Sequence, residues 1–545
     1  MKKKFCLKKF FRTIKTRLIQ GAGIMKKILG LVASLIMIQT GLHSGPQTFK
    51  QQLLLKVRDY RETHEPAIIQ EFIELLSIPN VSSDRVNIRK NANHIRNMMQ
   101  SRGITAEVLE TAGNPVVYGE IITDQNAPTL MFYVHYDGQP VDPSKWTGTH
   151  PFRPALRPGK LLSGTDQPKP IPFPDKGEKY DEDWRIYARG SSDDRAPILC
   201  LLSALDALKQ AHIPLKNNLK FILEGEEEAG STNLQPFLEK HKSRLKTDIL
   251  FMCDGPAYYS GDPTLFFGVR GITSMDITVY GPNVSIHSGH YGNWAPNPAM
   301  RLAKLLSSMK DGQGRVLVDG FYDTVTPLTA SEIMALKTIP PYDEQIKELY
   351  GFSGTEGGGI SLLEAIQLPA LNINGLESGW TGSQARTIIP PNAVASIDIR
   401  MVKGNDPDYM RKCILRHVQK QGYHIVHEDP DQYLRMKYPQ IAKVSTKEEG
   451  YRASRTSMDQ PIAQTVIEAL SGYFETPPIL LPSLGGSLPV YLFEDTLQVP
   501  VIGISIANHD NNQHQPDENI RIRNLWRGIE TFAAVLMMGE GDHEE

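Results

Sequence analysis

Cysteine is scarce. The 545 residues contain only Cys6, Cys200, Cys253 and Cys413, widely scattered and with no CxxC pair, which argues against a disulfide framework. Cys6 precedes a candidate export signal, so its removal leaves an odd number. Cys200 lies in the apolar run Ile198 to Leu202, where a cysteine serves as a small core residue. All four read as structural. An excess of charge is equally absent: 59 Lys plus Arg against 61 Asp plus Glu give a formal charge of -2. Nothing global draws the chain toward nucleic acid or anionic lipid. There is no internal repeat and no low-complexity tract, so function must reside in local groupings of residues.

What is present is ordinary globular composition, 40% hydrophobic and 22% charged, in a chain longer than one core usually organises. Two folded domains are expected. The first 44 residues stand apart. From Met25 the chain reads Lys26, Lys27, the apolar run Ile28 to Ile38, and a small residue at Ser44 suited to cleavage. These are the three parts of a secretory signal. The run falls short of the about 20 residues that span a bilayer, and no cysteine follows it closely to take a lipid. Residues 1–44 are therefore predicted to direct export, to the periplasm or the medium, with membrane anchoring as the alternative. The basic segment Met1 to Ile24 is either an extended n-region or lies upstream of a true start at Met25.

Beyond the signal, Glu65 to Leu76 carries Ile68, Phe72, Leu75 and Leu76 on one helical face, with Pro79 as terminator. Short apolar runs follow at Leu130 to Val134, Leu219 to Leu223, Ile249 to Cys253 and Val501 to Ser505. Helical patterns such as Pro197 to Leu208 and Asn233 to Lys240 lie between them. This alternation predicts an α/β fold with a mostly parallel sheet flanked by helices. The texture changes between 271 and 450: Ser274 to Tyr280 and Ala393 to Arg400 alternate like half-exposed strands, and Ala299 to Met309 and Tyr409 to Gln421 read as helices. A smaller α+β domain is thus predicted at 271–450, inserted into a main domain made of 45–270 and 451–545. Pro154 to Asp183, rich in Pro, Gly and Lys, reads as a long surface loop or a hairpin insertion.

Polar residues at the carboxyl ends of buried parallel strands face the crevice where open α/β sheets bind ligands. Here Leu130 to Val134 ends in His135-Tyr136-Asp137, and Leu219 to Leu223 runs into Glu224-Gly225-Glu226-Glu227-Glu228. Ile249 to Cys253 ends in Asp254, and Asp193-Asp194 stands just before a helix. Val501 to Ser505 leads toward His509 and His514. Singly, each is ordinarily a surface feature. Together the acids would repel one another unless cations compensate them, and histidine with carboxylate suits Zn²⁺, Mn²⁺ or Co²⁺.

The segments His135-Tyr136-Asp137-Gly138-Gln139-Pro140, Ala188 to Asp194, Glu224 to Ser231, Asp254, Ile286-His287-Ser288-Gly289 and His514 resemble, in order, the motifs of a family of metal-dependent exopeptidases and deacylases. That family includes carnosine dipeptidases, aminoacylase, succinyl-diaminopimelate desuccinylase and the glutamate carboxypeptidases, and the resemblance covers nearly everything after the signal. It implies a zinc-exopeptidase-like fold and two divalent metal ions, zinc by preference, with Mn²⁺ or Co²⁺ as alternatives. Asp193 would bridge them, His135 and Asp254 completing one site, Glu228 and His514 the other. Asp137 would orient the His135 imidazole. Glu227 would be the general base, taking a proton from metal-activated water and passing it to the leaving nitrogen. The Asp193–Asp194 peptide is implied to be cis.

The inserted domain resembles the family's lid and dimerisation domain, so a homodimer is implied. His287 would stabilise the oxyanion, in a neighbouring active site. Thr387, Arg400 and Ser487 match substrate-holding positions, and Arg400 could fork onto a carboxylate. His509 and His290 would be bystanders. Two departures stand beside the ligands: Arg195-Ala196 replaces the commoner Lys-Gly, and Gly138 replaces the valine of many dipeptidase relatives. Both put substrate fit in doubt rather than metal binding. Asp254, and a long lid carrying Thr387 and Arg400, favour a dipeptidase or exopeptidase acting on short peptides. The alternatives are an N-acyl-amino-acid deacylase or carboxypeptidase using the same site, and, more remotely, a metal-free exported binding module.

Overall fold

The computed structural model describes residues 48–161, 167–175 and 177–539; the candidate export signal and Cys6 lie outside them. The largest sheet has eight strands: β1 (Thr105–Leu109), β2 (Val116–Ile121), β3 (Thr129–His135), β4 (Asn218–Glu224), β5 (Ile249–Met252), β6 (Thr264–Phe266), β7 (Ile479–Leu481) and β8 (Val501–Ser505). Their order across the sheet is β1-β2-β4-β3-β5-β8-β6-β7. The centre, β4-β3-β5-β8, is parallel. Antiparallel pairs appear toward both edges, at β1-β2, β2-β4 and β8-β6. The central strands are buried on both faces, which is why they read as unbroken apolar runs.

Helices cover the sheet. Arg195–Gln210 is almost wholly buried, packed with Ile522–Leu536 in one large apolar cluster. Helix Phe49–Leu76 starts well before the predicted Glu65. Its buried face continues through Arg61 and Glu65, whose side chains are themselves buried and paired at 2.7 Å. That ion pair interrupts the apolar stripe in the sequence and hid the upstream half of the helix. No described helix is long and apolar enough to cross a membrane.

Five strands drawn from Gly271 to Tyr451 form a second sheet, in the order Ala370–Glu377, Asn392–Met401, Gly271–Tyr280, Ile441–Tyr451, His424–Val426. Helices Pro298–Ser307 and Pro407–Lys420 supply apolar side chains to its core. Ser274 to Tyr280 is not the half-exposed strand its alternation suggests. Gly271–Tyr280 lies at the sheet's centre, and only Ile272 and Asp276 keep partial exposure. The strand is paired on both sides, and Ser396 on its neighbour donates its hydroxyl to Asp276. The loop after Pro154 is anchored by the small sheet Ala155–Arg157, Arg185–Tyr187 and Asn519–Arg521. Cys200, Cys253 and Cys413 are buried free thiols.

Candidate metal centre

The ends of two parallel strands meet a loop. His135, the last residue of β3, Asp254 beyond β5, and the loop before helix Arg195–Gln210 meet at one buried point. His135 Nε2 lies 3.0 Å from Asp193 Oδ1 and 3.7 Å from Asp254 Oδ2. The other Asp193 oxygen, Oδ2, lies 3.1 Å from His514 Nε2, which is 3.4 Å from Glu228 Oε2. Asp193 is thus shared by two groups, His135–Asp193–Asp254 and Asp193–Glu228–His514, each with its ligand atoms within 4.8 Å of one another. Asp193 Oδ2 is buried without a hydrogen bond, a costly arrangement that a cation would satisfy. The Asp193–Asp194 peptide is cis. His514 adopts φ +62°, a left-handed conformation that a non-glycine residue keeps only where its surroundings impose it.

The electrostatics describe a site built for positive charge. Burial, then repulsion from Asp193, raises the Asp254 carboxyl to about 6. Burial and Asp193 together raise Glu228 to about 7. Glu227 is held well above its ordinary range by burial, with Asp254, Glu228 and Asp137 adding to the rise and His135 opposing it. Asp193 goes the other way: burial pushes it up, but the His135 and His514 imidazoles beside it prevail and take it below the usual carboxylate range. Nitrogen and carboxylate donors packed with surplus negative charge fit hard-to-borderline divalent cations.

The family model described as Peptidase family M20/M25/M40 matches residues 131–538. The chain belongs to this family. It is a metallopeptidase. Among its M20 relatives, the Cys-Gly metallodipeptidase of Candida albicans is 26% identical over 519 residues, 90% of this chain and 99% of that one. The Beta-Ala-His dipeptidase of Homo sapiens is 25% identical over 536 residues, 93% and 96% of the two chains. The crystal structure of an M20 family metallo-carboxypeptidase from Sulfolobus solfataricus has a TM-score of 0.66 at 29% identity, covering 86% of this chain and 98% of that one.

In this M20 chain Asp137 touches more than His135. Its Oδ1 is 3.4 Å from His135 Nδ1, and its carboxylate accepts the backbone N–H groups of Glu227 and Glu228 and the Ser82 hydroxyl. The first two glutamates of the acidic run, Glu224 and Glu226, point elsewhere. Glu224 is buried and accepts from the hydroxyls of Tyr133 and Ser231, and burial raises its carboxyl to about 8. Glu226 binds Asn233.

His509 and His290 take no part in the two groups. His509 packs on the Tyr259 ring at 4.2 Å, and burial lowers its pKa to about 4. His290 sits against His287, ring centres 4.8 Å apart. The departure at Arg195 proves structural rather than a matter of substrate fit. Its guanidinium is fully buried and donates to the carbonyls of Leu75, Ile78 and Tyr136. At Gly138 a Cβ would come 2.7 Å from the Asn80 amide nitrogen, so a side chain there has to displace the amide that donates to the Tyr136 carbonyl.

The substrate-holding candidates form two groups. Arg400 Nη1 donates to Ser487 Oγ at 3.0 Å, and its Nε to Asp398 at 3.3 Å. His287 and Thr387 come together elsewhere: Ile286–His287 pairs with Ile388–Ile389, and Thr387 O accepts from Ser288 N. His287 is exposed, and its Nδ1 accepts from Gly289 N.

Glu518 escaped sequence reading. Completely buried, it accepts from Arg189, from the backbone N–H groups of Gly190, Ser192 and Asp193, and from the Ser192 hydroxyl. It therefore fixes the loop that presents Asp193. Its only local signal is a short distance from His514 in the chain.

Proposed function

We propose that the chain is a dinuclear, zinc-dependent exopeptidase that hydrolyses dipeptides. The observation that carries this is Asp193, whose two oxygens face two separate histidine–carboxylate groups. Two cations sharing that carboxylate would leave His135 and Asp254 on one and Glu228 and His514 on the other. When bound, such cations polarise a carbonyl and lower the pKa of water. The chain's own residues do the rest. Glu227 takes the proton of the attacking water and returns it to the leaving nitrogen. Asp137 holds the imidazole of His135 and, through two backbone N–H groups, the turn bearing Glu227. Arg400 and Ser487 hold the substrate. The dipeptidase names of the relatives favour dipeptides over N-acyl amino acids.

Residues 271–450 act, in this reading, as a lid and dimerisation domain. Support comes from the edge strand Ala370–Glu377, paired on one side only among the described residues and exposed from Asn372 onward. Ile373, Leu376 and Trp380 are exposed at 44%, 64% and 50%. An open apolar edge of this kind is a template for a second copy. Export rests on the Lys26-Lys27 and Ile28 to Ile38 pattern alone, and intact-mass analysis for a start near Gly45 tests it.

Initial rates decide the substrate class. The metal-loaded protein is offered dipeptides, N-acetyl amino acids, and tripeptides blocked at either end. Unblocked dipeptides should be cleaved fastest. Faster release from N-acetyl amino acids would make the protein a deacylase, and cleavage of amino-blocked tripeptides a carboxypeptidase.

A further inference from the structure

Gln139 has no role in the assignments above, yet the fold sets it against a candidate metal ligand. The segment His135 to Gln139 runs on from β3, and along an extended stretch every second side chain points the same way. His135 and Asp137 belong to one series, with Asp137 Oδ1 3.4 Å from His135 Nδ1. Tyr136, between them, points elsewhere and donates its hydroxyl to the Pro115 carbonyl at 2.6 Å. Gln139 continues the first series, and its Nε2 donates to Glu228 Oε2 at 2.7 Å. Pro140 keeps Gln139 extended, because a following proline disfavours the helical backbone. The backbone of Gly138 is pinned on both sides: its N–H donates to the Asn80 carbonyl at 2.8 Å, and its carbonyl accepts from the Ser82 N–H at 3.3 Å. Gln139 therefore reaches Glu228 from a fixed register.

The atom it touches matters. Glu228 Oε2 is the oxygen that faces His514 Nε2, 3.4 Å away, within the group Asp193–Glu228–His514. Asp137 already holds the backbone N–H of Glu228, so Gln139 adds what the backbone cannot supply, the direction of the carboxylate. A carboxylate oxygen carries two lone pairs. One amide donor occupies one of them and leaves the other to a cation. The amide is also neutral: a lysine here would cancel the negative charge that attracts a cation, whereas glutamine orients the oxygen and leaves that charge in place. The two groups differ in their need for such a tether. His135, Asp193 and Asp254 are all buried, while Glu228 is half-buried and His514 exposed. Packing fixes the ligands of the first group, and the more open group has fewer neighbours to do so.

We propose that Gln139 is a positioning residue for one metal only: its amide turns the Glu228 carboxylate toward His514 and sets the cation affinity of the Asp193–Glu228–His514 group. This rests on the dinuclear reading of the site. The test is calorimetric titration of chelated, full-length protein with zinc ions. Gln139→Met keeps the length of the side chain and removes the donor. One equivalent should bind as in the wild type and the other about 10–100-fold more weakly, the usual cost of losing a partner to a metal ligand. Dipeptide hydrolysis at limiting zinc should fall and return when zinc is added, a rescue that a packing defect would not permit. Gln139→Asn, whose amide falls one methylene short, should behave alike and serves if the methionine variant does not fold. Both equivalents weakened equally, or neither weakened, would overturn the role. Failure of both variants to fold would overturn it too, since the hydrogen bond would then serve the fold itself. Wild-type protein that takes up fewer than two equivalents would instead overturn the dinuclear reading beneath it.

Discussion

The backbone N–H of Glu228 donates to Asp137 Oδ2 at 3.1 Å, so the acid that faces the His135 ring also ties down the turn carrying the opposite ligand. Both candidate metal groups lean on one fully buried carboxylate. Asp137→Asn should therefore weaken metal binding at both, by about 10–100-fold as for other residues that orient ligands. Metal titration followed by calorimetry measures it; a loss confined to one equivalent would separate the two roles.

Glu227 and Glu228 are neighbours with different tasks. Glu227→Gln should keep its metal content and lose kcat on the order of 10²-fold, the weight of a general base. Glu228→Gln should lose metal first. The reverse pattern in metal analysis would shift the register through the acidic run by one residue.

Glu518 and Arg189 form a buried pair at 2.7 Å, with side chains 0% and 3% exposed. Removing one partner strands the other charge and the N–H groups of Gly190, Ser192 and Asp193. Glu518→Ala should cost about 3–5 kcal/mol in urea unfolding, well beyond a surface substitution. Metal occupancy should fall with it, because the same loop presents Asp193.

Metal-free protein should show a distinctive pH profile. Asp254, Glu228 and Glu224, with folded pKa values raised to about 6, 7 and 8, bind protons more tightly folded than unfolded. Their contribution is fully present below the unfolded carboxylate range near pH 4 and is lost as pH rises through the folded values. Tm of the chelated protein should thus fall between about pH 5 and 8, while metal-loaded protein stays level. A chelated protein whose Tm rises across that window contradicts the crowding of acids described above.

His287 tests the lid. His287→Ala should lower kcat with full metal content, because a donor to the oxyanion acts on the transition state. If it serves the partner's site, inactive Glu227→Ala and His287→Ala proteins should regain partial activity when mixed under subunit exchange. Verified exchange without recovery rules out the arrangement between subunits.

Local pattern in the sequence was enough for the α/β class, for the central strands, and for acids and histidines at their ends, because a strand buried on both faces leaves an unbroken apolar run and a polar break at its mouth. The order of the motifs was enough for the family. Sequence pattern alone left His509 and His514 open; the resemblance favoured His514. The tertiary structure puts His514 against Asp193 and His509 on Tyr259. It alone brought Glu518 under the ligand loop, and it alone covered the strand Gly271–Tyr280. The reason is the same in each case. Periodicity records how much of an element is buried, whereas a buried charge or hydroxyl is settled by the partner that long-range folding delivers, and that partner leaves no mark on the residues around it.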